Sequence, residues 1–459
     1  MAILPSYEAL AAENRALREE VGALKALVEQ ALAENARLRG EGPPPASAAP
    51  RPAWVKPNVP APAAARSPRA PRAPVPGRRL DEPDRQVVHA PDRCARCGTH
   101  LDGGRVVQRR QVIALPVVRY EVTEHVVLER TCRWCGRVGR GTLPDLGAEA
   151  GPHRRVGWDV AAWVAMVRTK LRLPIAQVQW LLEAVWGLHL ARGEVCALLA
   201  EAAQAGEATY EQLLAEARAS PAAHVDETGW RENGRNGYVW TVSTPEVRLF
   251  HFIDSRAGQV VRDLLGPDWR GVTISDFYRA YDRLEGPHQR CWAHFLRDIH
   301  KLTEAYPRHA ELAVWAEAVQ VLFRLGVAWT AQVGERPAVE RAARARTLEG
   351  LLLAVCRAQE PETPQATLCQ RVEWYHGEFF TFVAEPGVDP TNNGAERALR
   401  PLVIARKISG GTRSPQGSRT RMVLQSLMAT WEVRGQDLFA AMRDLLRSPR
   451  PPRPSVVQV

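Results

Sequence analysis

No stretch of this sequence approaches the roughly 18 consecutive apolar residues that a membrane-spanning helix requires. The N-terminal residues also lack the basic segment followed by an apolar one that marks a secretory signal. Both absences point to a cytoplasmic protein. Cysteine is too sparse for a stapled scaffold: eight among 459 residues argue against a disulfide framework and turn attention to clustered pairs as metal ligands. Acidic residues fall short of basic ones, 51 Asp and Glu against 61 Lys and Arg, for a net charge of +10 and a pI near 9.5. A basic balance suits a polyanionic partner, although a surplus of this size also occurs in proteins that touch no nucleic acid. The length is enough for two or three domains.

Residues 6–39 read as a coiled coil. Leu10, Leu17, Leu24, Ala31 and Leu38 recur every seven residues, and Tyr7, Asn14, Val21, Val28 and Asn35 precede each by three. Val at a with Leu at d favours a parallel dimer, and Asn14 and Asn35 set its register. Glu13 with Arg18, Glu20 with Lys25 and Glu34 with Arg39 are g-to-e′ pairs of opposite sign. The alternative is a single amphipathic helix packed on its own core; self-association, a homodimer or higher, is the expectation. Residues 41–80 form a Pro/Ala-rich linker made basic by Arg66, Arg69, Arg72, Arg78 and Arg79, either a solvated tether or a phosphate-contacting arm. The tail, residues 448–459, reads as disordered.

The metal signal lies in residues 86–145. Cys94-Ala95-Arg96-Cys97 and Cys132-Arg133-Trp134-Cys135 are each followed by Gly, at 98 and 136. Four thiolates with no open position make a structural zinc site. Residues 106–116 and 117–129 alternate like a β-hairpin that brings the knuckles together. His89 and His125 are substitute ligands or ordinary residues. Arg93, Arg96, Arg105, Arg109, Arg110, Arg130, Arg133, Arg137 and Arg140 surround the module and suit DNA contact.

Residues 155–218 read as helices. Within them residues 175–182 lead through Trp186-Gly187-Leu188 to residues 191–199, a candidate helix-turn-helix in which Arg192 is the evident phosphate or base reader and Cys196 is assigned to the core. Plain helical packing explains the pattern equally well.

Residues 221–303 carry the densest chemistry. Three β-rich runs, a helix-length segment and a fourth β-rich run follow one another between Val225 and Asp276, with residues 288–292 as a fifth short strand and residues 293–303 as a helix. Asp226 is expected to close the first strand and Asp276 the fourth. Two carboxylates at one sheet edge suit a divalent cation, which takes hard oxygen ligands, although strand-end aspartates are also turn formers. Residues 304–385 read as a helical insertion. In residues 389–445 Glu396 opens a helical segment, either as a third acid or as the reaching member of a capping box begun by Asn393. Arg400, one turn later, either holds a phosphate or pairs with Glu396.

The segments His224-Val225-Asp226-Glu227-Thr228, Ser275-Asp276-Phe277-Tyr278-Arg279-Ala280-Tyr281, Cys291-Trp292-Ala293-His294 and Asn392-Asn393-Gly394-Ala395-Glu396-Arg397-Ala398-Leu399-Arg400-Pro401 together resemble the insertion sequence 66 family of bacterial DDE transposases. The resemblance implies a multidomain α+β chain: coiled coil, zinc-binding β module, helical DNA-binding region, and a ribonuclease H-like α/β catalytic core interrupted by a helical insertion. It implies that Asp226, Asp276 and Glu396 form a catalytic triad binding two magnesium or manganese ions, and that Cys94, Cys97, Cys132 and Cys135 hold zinc. It implies cleavage and strand transfer on double-stranded DNA, in the nucleoid, with accessory proteins as further partners. Arg397, Arg400, Arg406, Lys407, Arg413, His294 and Arg297 are the expected DNA contacts. The rival readings are a zinc-containing DNA-binding protein without activity, and a metal-dependent nuclease that does not join strands.

Overall fold

The computed structural model describes residues 82–113, 115, 118–142, 156–331 and 336–448. The coiled coil, the linker and residues 449–459 lie outside the described residues. The chain divides into two units, with residues 82–113 in the first and those from 115 onward in the second.

In the first unit the Cys94 knuckle is a tight turn: Cys94 N–H donates to the Thr99 carbonyl and Gly98 N–H to the Cys94 carbonyl. In the second unit the Cys132 knuckle repeats that pattern, Cys132 N–H to Arg137 and Gly136 N–H to Cys132, and joins β1 (Glu129–Thr131) to β2 (Val138–Arg140). The hairpin expected between the knuckles is absent: residues 101–113 and 118–128 carry no strand. Their alternating apolar positions, such as Val107 and Val112, are exposed. Alternation makes a strand only where one face has something to pack against.

Four helices follow, α1 (Trp158–Thr169), α2 (Ile175–Trp186), α3 (Arg192–Ala205) and α4 (Glu207–Ala219). Gly187, left-handed at φ 73°, ends α2, and Glu194 caps α3 by accepting from Ala191 N–H at 2.7 Å. Val178, Leu182, Val195, Leu198 and Leu199 point inward. Cys196 does not; it is exposed, at the margin of the buried face of α3, which corrects its assignment to the core.

The sheet comes next: β3 (Ala222–Glu232), β4 (Arg235–Ser243), β5 (Arg248–Ile253), the crossover helix α5 (Gly258–Leu265), β6 (Val272–Ser275), a 3-10 turn at Arg279–Arg283, and β7 (His288–Arg290). Asn233-Gly234, both at positive φ, form the two-residue turn that right-twisted antiparallel strands favour. The strand order is β5-β4-β3-β6-β7, antiparallel on the β5 side of β3 and parallel on the β6 side.

Beyond it lie α6 (Trp292–Ala305), the insertion helices α7 (Ala310–Ala331), α8 (Ala338–Arg357), α9 (Ala366–Trp374) and α10 (Thr381–Ala384), and the closing helices α11 (Asn393–Ser409), α12 (Pro415–Val433) and α13 (Leu438–Arg447). Pro361 and Pro364 fall in the break between α8 and α9. The described residues thus hold thirteen α-helices and a mixed sheet, an α+β architecture.

Because side chains alternate along a strand, β3 feeds two cores. Val225 packs with Trp240, Val242 and helices α1 to α5, whereas Trp230 packs with Val239, Phe250 and with Leu399 and Leu402 of α11. A third core joins Val272 and Ile274 of β6 to Trp292, Phe295 and the insertion. Helix α7 is apolar enough by composition to cross a membrane, yet Leu312, Trp315, Val319 and Leu322 are spent in this core. The outer edge of β5 is closed by α12: Ser426 and Thr430 hydroxyls accept from Phe250 N–H (2.9 Å) and Arg248 N–H (3.0 Å), which blunts a strand that would otherwise offer free donors.

Candidate active site

The parallel register pairs Ala222 with Val272, Ala223 with Thr273 and His224 with Ile274. The same offset carries Asp226 to Asp276, so the two aspartates leave neighbouring strands at the same level, strands that lie about 4.8 Å apart. Asp276 follows the last residue of β6, as expected. Asp226 does not close its strand: β3 runs six residues further, paired with β4 alone. The short partner β6, not the end of β3, creates the edge. Each aspartate is held by a backbone amide, Asp226 Oδ1 by Glu227 N–H at 2.8 Å and Asp276 Oδ1 by Tyr278 N–H at 2.9 Å. Asp276 therefore does form a turn, and still stands beside Asp226.

Glu396 arrives on the first turn of α11, which is bolted to β3. The buried Asn392, at the helix start, donates Nδ2 to the Val225 carbonyl at 2.8 Å, meets His224 Nδ1 at 3.3 Å, and gives its N–H to Cys291 Sγ at 3.1 Å. Gly394 permits the approach, since a Cβ there would sit 2.9 Å from the His224 ring. No capping box forms; the helix start has no side-chain cap. Glu396 Oε1 is buried without a hydrogen bond, and the basic side chain within ion-pair range of it is not Arg400 but His294, whose Nε2 stands 3.7 Å away. His294 Nδ1 is likewise buried and unpartnered.

The electrostatics follow from this crowding. Burial pushes the Asp226 carboxyl up to about 8, and the charges of Glu227, Asp276 and Glu396 add to the effect, against the pull of the Glu227 N–H. Burial lowers His224 and raises Cys291. Among the described residues no three His, Cys, Asp or Glu side chains converge tightly enough to enclose a metal ion. The donors nonetheless suit a hard cation: hard oxygens only, one of them orphaned, on carboxylates whose mutual repulsion a divalent ion relieves.

The other expected contacts divide. Arg397, Arg400, Lys407 and Arg413 are exposed, and Arg297 is half-buried on α6 with His294. Arg406 is committed to the fold: its guanidinium donates to the Gly229 carbonyl and to Thr228 Oγ1. Arg421, further along the same basic stretch, is 5% exposed and donates to the Arg168 carbonyl. The knuckle thiols suit metal ligation, with Cys97 lowered chiefly by its bond to the Thr99 hydroxyl and Cys132 by the backbone amides of Cys135 and Trp134. Sequence reasoning missed Asn392, Glu227 and Arg256. Glu227 and Asn392 both lie within the segments that carry the family resemblance, which was the signal for them; Arg256 had none.

The sequence model of the IS66 transposase family matches residues 153–420, which take in the five-stranded sheet, the insertion and all three acids. No curated protein matches the chain. With well over half its length covered by that match, the chain belongs to the IS66 transposase family.

Proposed function

We propose that the protein is a DDE transposase that cleaves the ends of its insertion sequence and joins them to target DNA, with Asp226, Asp276 and Glu396 as its catalytic acids. One observation carries the reading: three carboxylates from β3, the end of β6 and α11 share one sheet edge, where burial raises Asp226 and the charges of Glu227, Asp276 and Glu396 add to the rise. Half-buried acids left without a countercharge destabilise the fold, and they are retained where chemistry uses them. The strand order, three antiparallel strands followed by two parallel ones with β3 central, supports a ribonuclease H-like core.

Asp226, Asp276 and Glu396 would hold magnesium or manganese, two ions in the form the family implies, and the bound ions supply Lewis-acid activation and charge stabilisation at phosphorus. The chain's own contribution is positioning. Asn392 ties α11 to the backbone of Val225, so Glu396 and Asp226 move as one body. His294 stands beside Glu396 and can share its charge or meet a phosphate. Arg397, Arg400 and Lys407, exposed along α11 beyond the acid, suit DNA phosphates. In the first step the oxygen of water displaces the 3′ oxygen at the element's end. In the second, that freed 3′ hydroxyl displaces a 3′ oxygen of the target strand, and no bond to the protein is made.

Each knuckle presents half of a four-thiolate donor set, for which structural zinc is the fitting ligand. A homodimer through the coiled coil, accessory proteins and double-stranded DNA as substrate complete the proposal.

The test incubates purified protein with DNA carrying one element end and a second DNA, with magnesium or manganese, beside Asp276→Asn. Metal-dependent nicking and joined products, both lost in Asp276→Asn, are expected. Nicking without joining would make the protein a nuclease, and cleavage that survives Asp276→Asn would overturn the triad.

A further inference from the structure

The mechanism above leaves one buried carboxylate beside the acid edge without a role. Glu227 follows Asp226 in β3, so the alternation of the strand sends it to the opposite face of the sheet. Its side chain is only 4% exposed. Arg256 donates to Oε1 through Nε at 2.8 Å and Nη2 at 2.6 Å, and the Tyr281 hydroxyl donates to Oε2.

Both contacts lead to Asp276. The Arg256 guanidinium lies 4.1 Å from the centre of the Tyr278 ring, and the Tyr278 hydroxyl donates back to the Arg256 carbonyl at 2.8 Å. Tyr278 is the residue whose N–H holds Asp276 Oδ1. Tyr281 sits in the 3-10 turn immediately after it, packed edge-on against Tyr278 and against Trp240 of β4. The same turn is pressed from behind by α5, where a Cβ at Gly258 would come within 2.5 Å of the Ala280 carbonyl oxygen. One side chain on the Asp226 strand is thus linked by two routes to the turn that orients the second acid.

We propose that Glu227 is a positioning residue: through Arg256 and Tyr281 it seats the turn after Asp276 and so sets the Asp276 carboxylate at its working distance from Asp226. The role rests on the assignment of Asp226 and Asp276 as metal ligands. Its physical basis is that a ligand free to wander binds a cation weakly, and partners that orient ligands govern affinity nearly as strongly as the ligands do. Magnesium, which demands near-ideal octahedral geometry, is affected more than manganese.

The experiment measures manganese binding to the full-length protein from the paramagnetic resonance of the free ion, and end cleavage across a manganese titration. Glu227→Ala is expected to raise the manganese constant about tenfold while the rate at saturating manganese stays within about twofold of wild type. Tyr281→Phe, which deletes one hydroxyl, raises it about threefold, and Glu227→Gln falls between the two. A role confined to stability would lower the melting temperature and the active fraction but leave the manganese constant where it was. Asp226→Asn is the control. If it binds manganese as wild type does, the acids are not the metal site, and the assignment of the triad falls together with this role. If Asp226→Asn loses manganese while Glu227→Ala and Tyr281→Phe keep the wild-type constant, the triad stands and the positioning role is overturned. Should Glu227→Ala fail to fold, Tyr281→Phe decides alone.

Discussion

Two regions of the second unit bury charge, and they treat it in opposite ways. At the seam between β7 and the insertion, Arg290 is 1% exposed yet fully engaged: it donates to Asp282 at 2.7 Å, to Glu378 at 2.5 Å and to the Asp276 carbonyl at 3.1 Å, and lies 4.1 Å from the centre of the Tyr375 ring. Glu349 of α8 accepts from three backbone amides, Gly377 at 3.1 Å, Phe379 at 2.6 Å and Phe380 at 2.7 Å. At the acid edge, Glu396 Oε1 and His294 Nδ1 have no hydrogen bond. The causes of the pKa shifts show the same contrast. Burial raises Glu349 to about 7 against three amides that pull it back, with Glu378 the one charge adding to the rise, whereas burial raises Asp226 to about 8 with Glu227, Asp276 and Glu396 adding to it and only the Glu227 N–H opposing. Charge at the seam is neutralised where it is buried; charge at the acid edge is left without a full complement of partners.

Breaking the seam should cost the most. Arg290→Met removes the buried cation that ties Asp282, Glu378 and the Asp276 backbone together; because both acids keep solvent access, a loss of about 2 kcal/mol is expected, the scale of hydrogen bonds to charged groups. Urea unfolding would show it as a lower midpoint at unchanged slope; an unchanged midpoint would mean that the seam is held by its aromatic core alone.

The acid edge should respond in the opposite sense. Asp226 holds its proton more tightly in the folded protein, at about 8, than at its ordinary 3.8. The stability it contributes is therefore complete below about pH 4 and is lost as pH rises through about 8. Without divalent ions the wild type is expected to melt lower at pH 9 than at pH 6. Asp226→Asn should recover roughly 1 kcal/mol or more at pH 9, a few degrees in melting temperature. Manganese added at pH 8 should raise the wild-type melting temperature and leave that of the variant unmoved. Equal pH profiles for the two proteins would show that the edge is not charge-frustrated.

The smallest effect sharpens the assignment of α11. Arg400→Ala should lower DNA affinity a few-fold without regard to sequence and reduce the salt slope of binding by about 1, as expected for one lost phosphate contact. Arg406→Ala should instead act on stability, because Arg406 bonds the backbone of β3. If both variants change only the salt slope, the division between reading and bracing arginines is wrong.

Much of the sheet was legible in advance. The β-rich runs between Val225 and Ile274 and the helix-length segment before β6 are local patterns, and local patterns report strands and helices directly. The same rule misled at residues 106–113 and 118–128, where apolar alternation meets no packing face and makes no strand. Glu396 could not be separated from a capping residue by spacing. The decision lies with Asn392, whose side chain bonds the Val225 carbonyl 167 residues away instead of capping its own helix.

The sequence by itself determined the family and most of the strands and helices from residue 158 onward, and it singled out three acids as candidates, because these depend on periodicity and on residue type at short spacing. Only the tertiary structure decided that Asp226 lies mid-strand yet at an edge, that Arg406 and Arg421 serve the fold while Arg400 faces outward, and that Glu227 is clamped on the far side of the sheet. Each of these depends on which distant strand or helix a residue meets, and on how much water that partner removes.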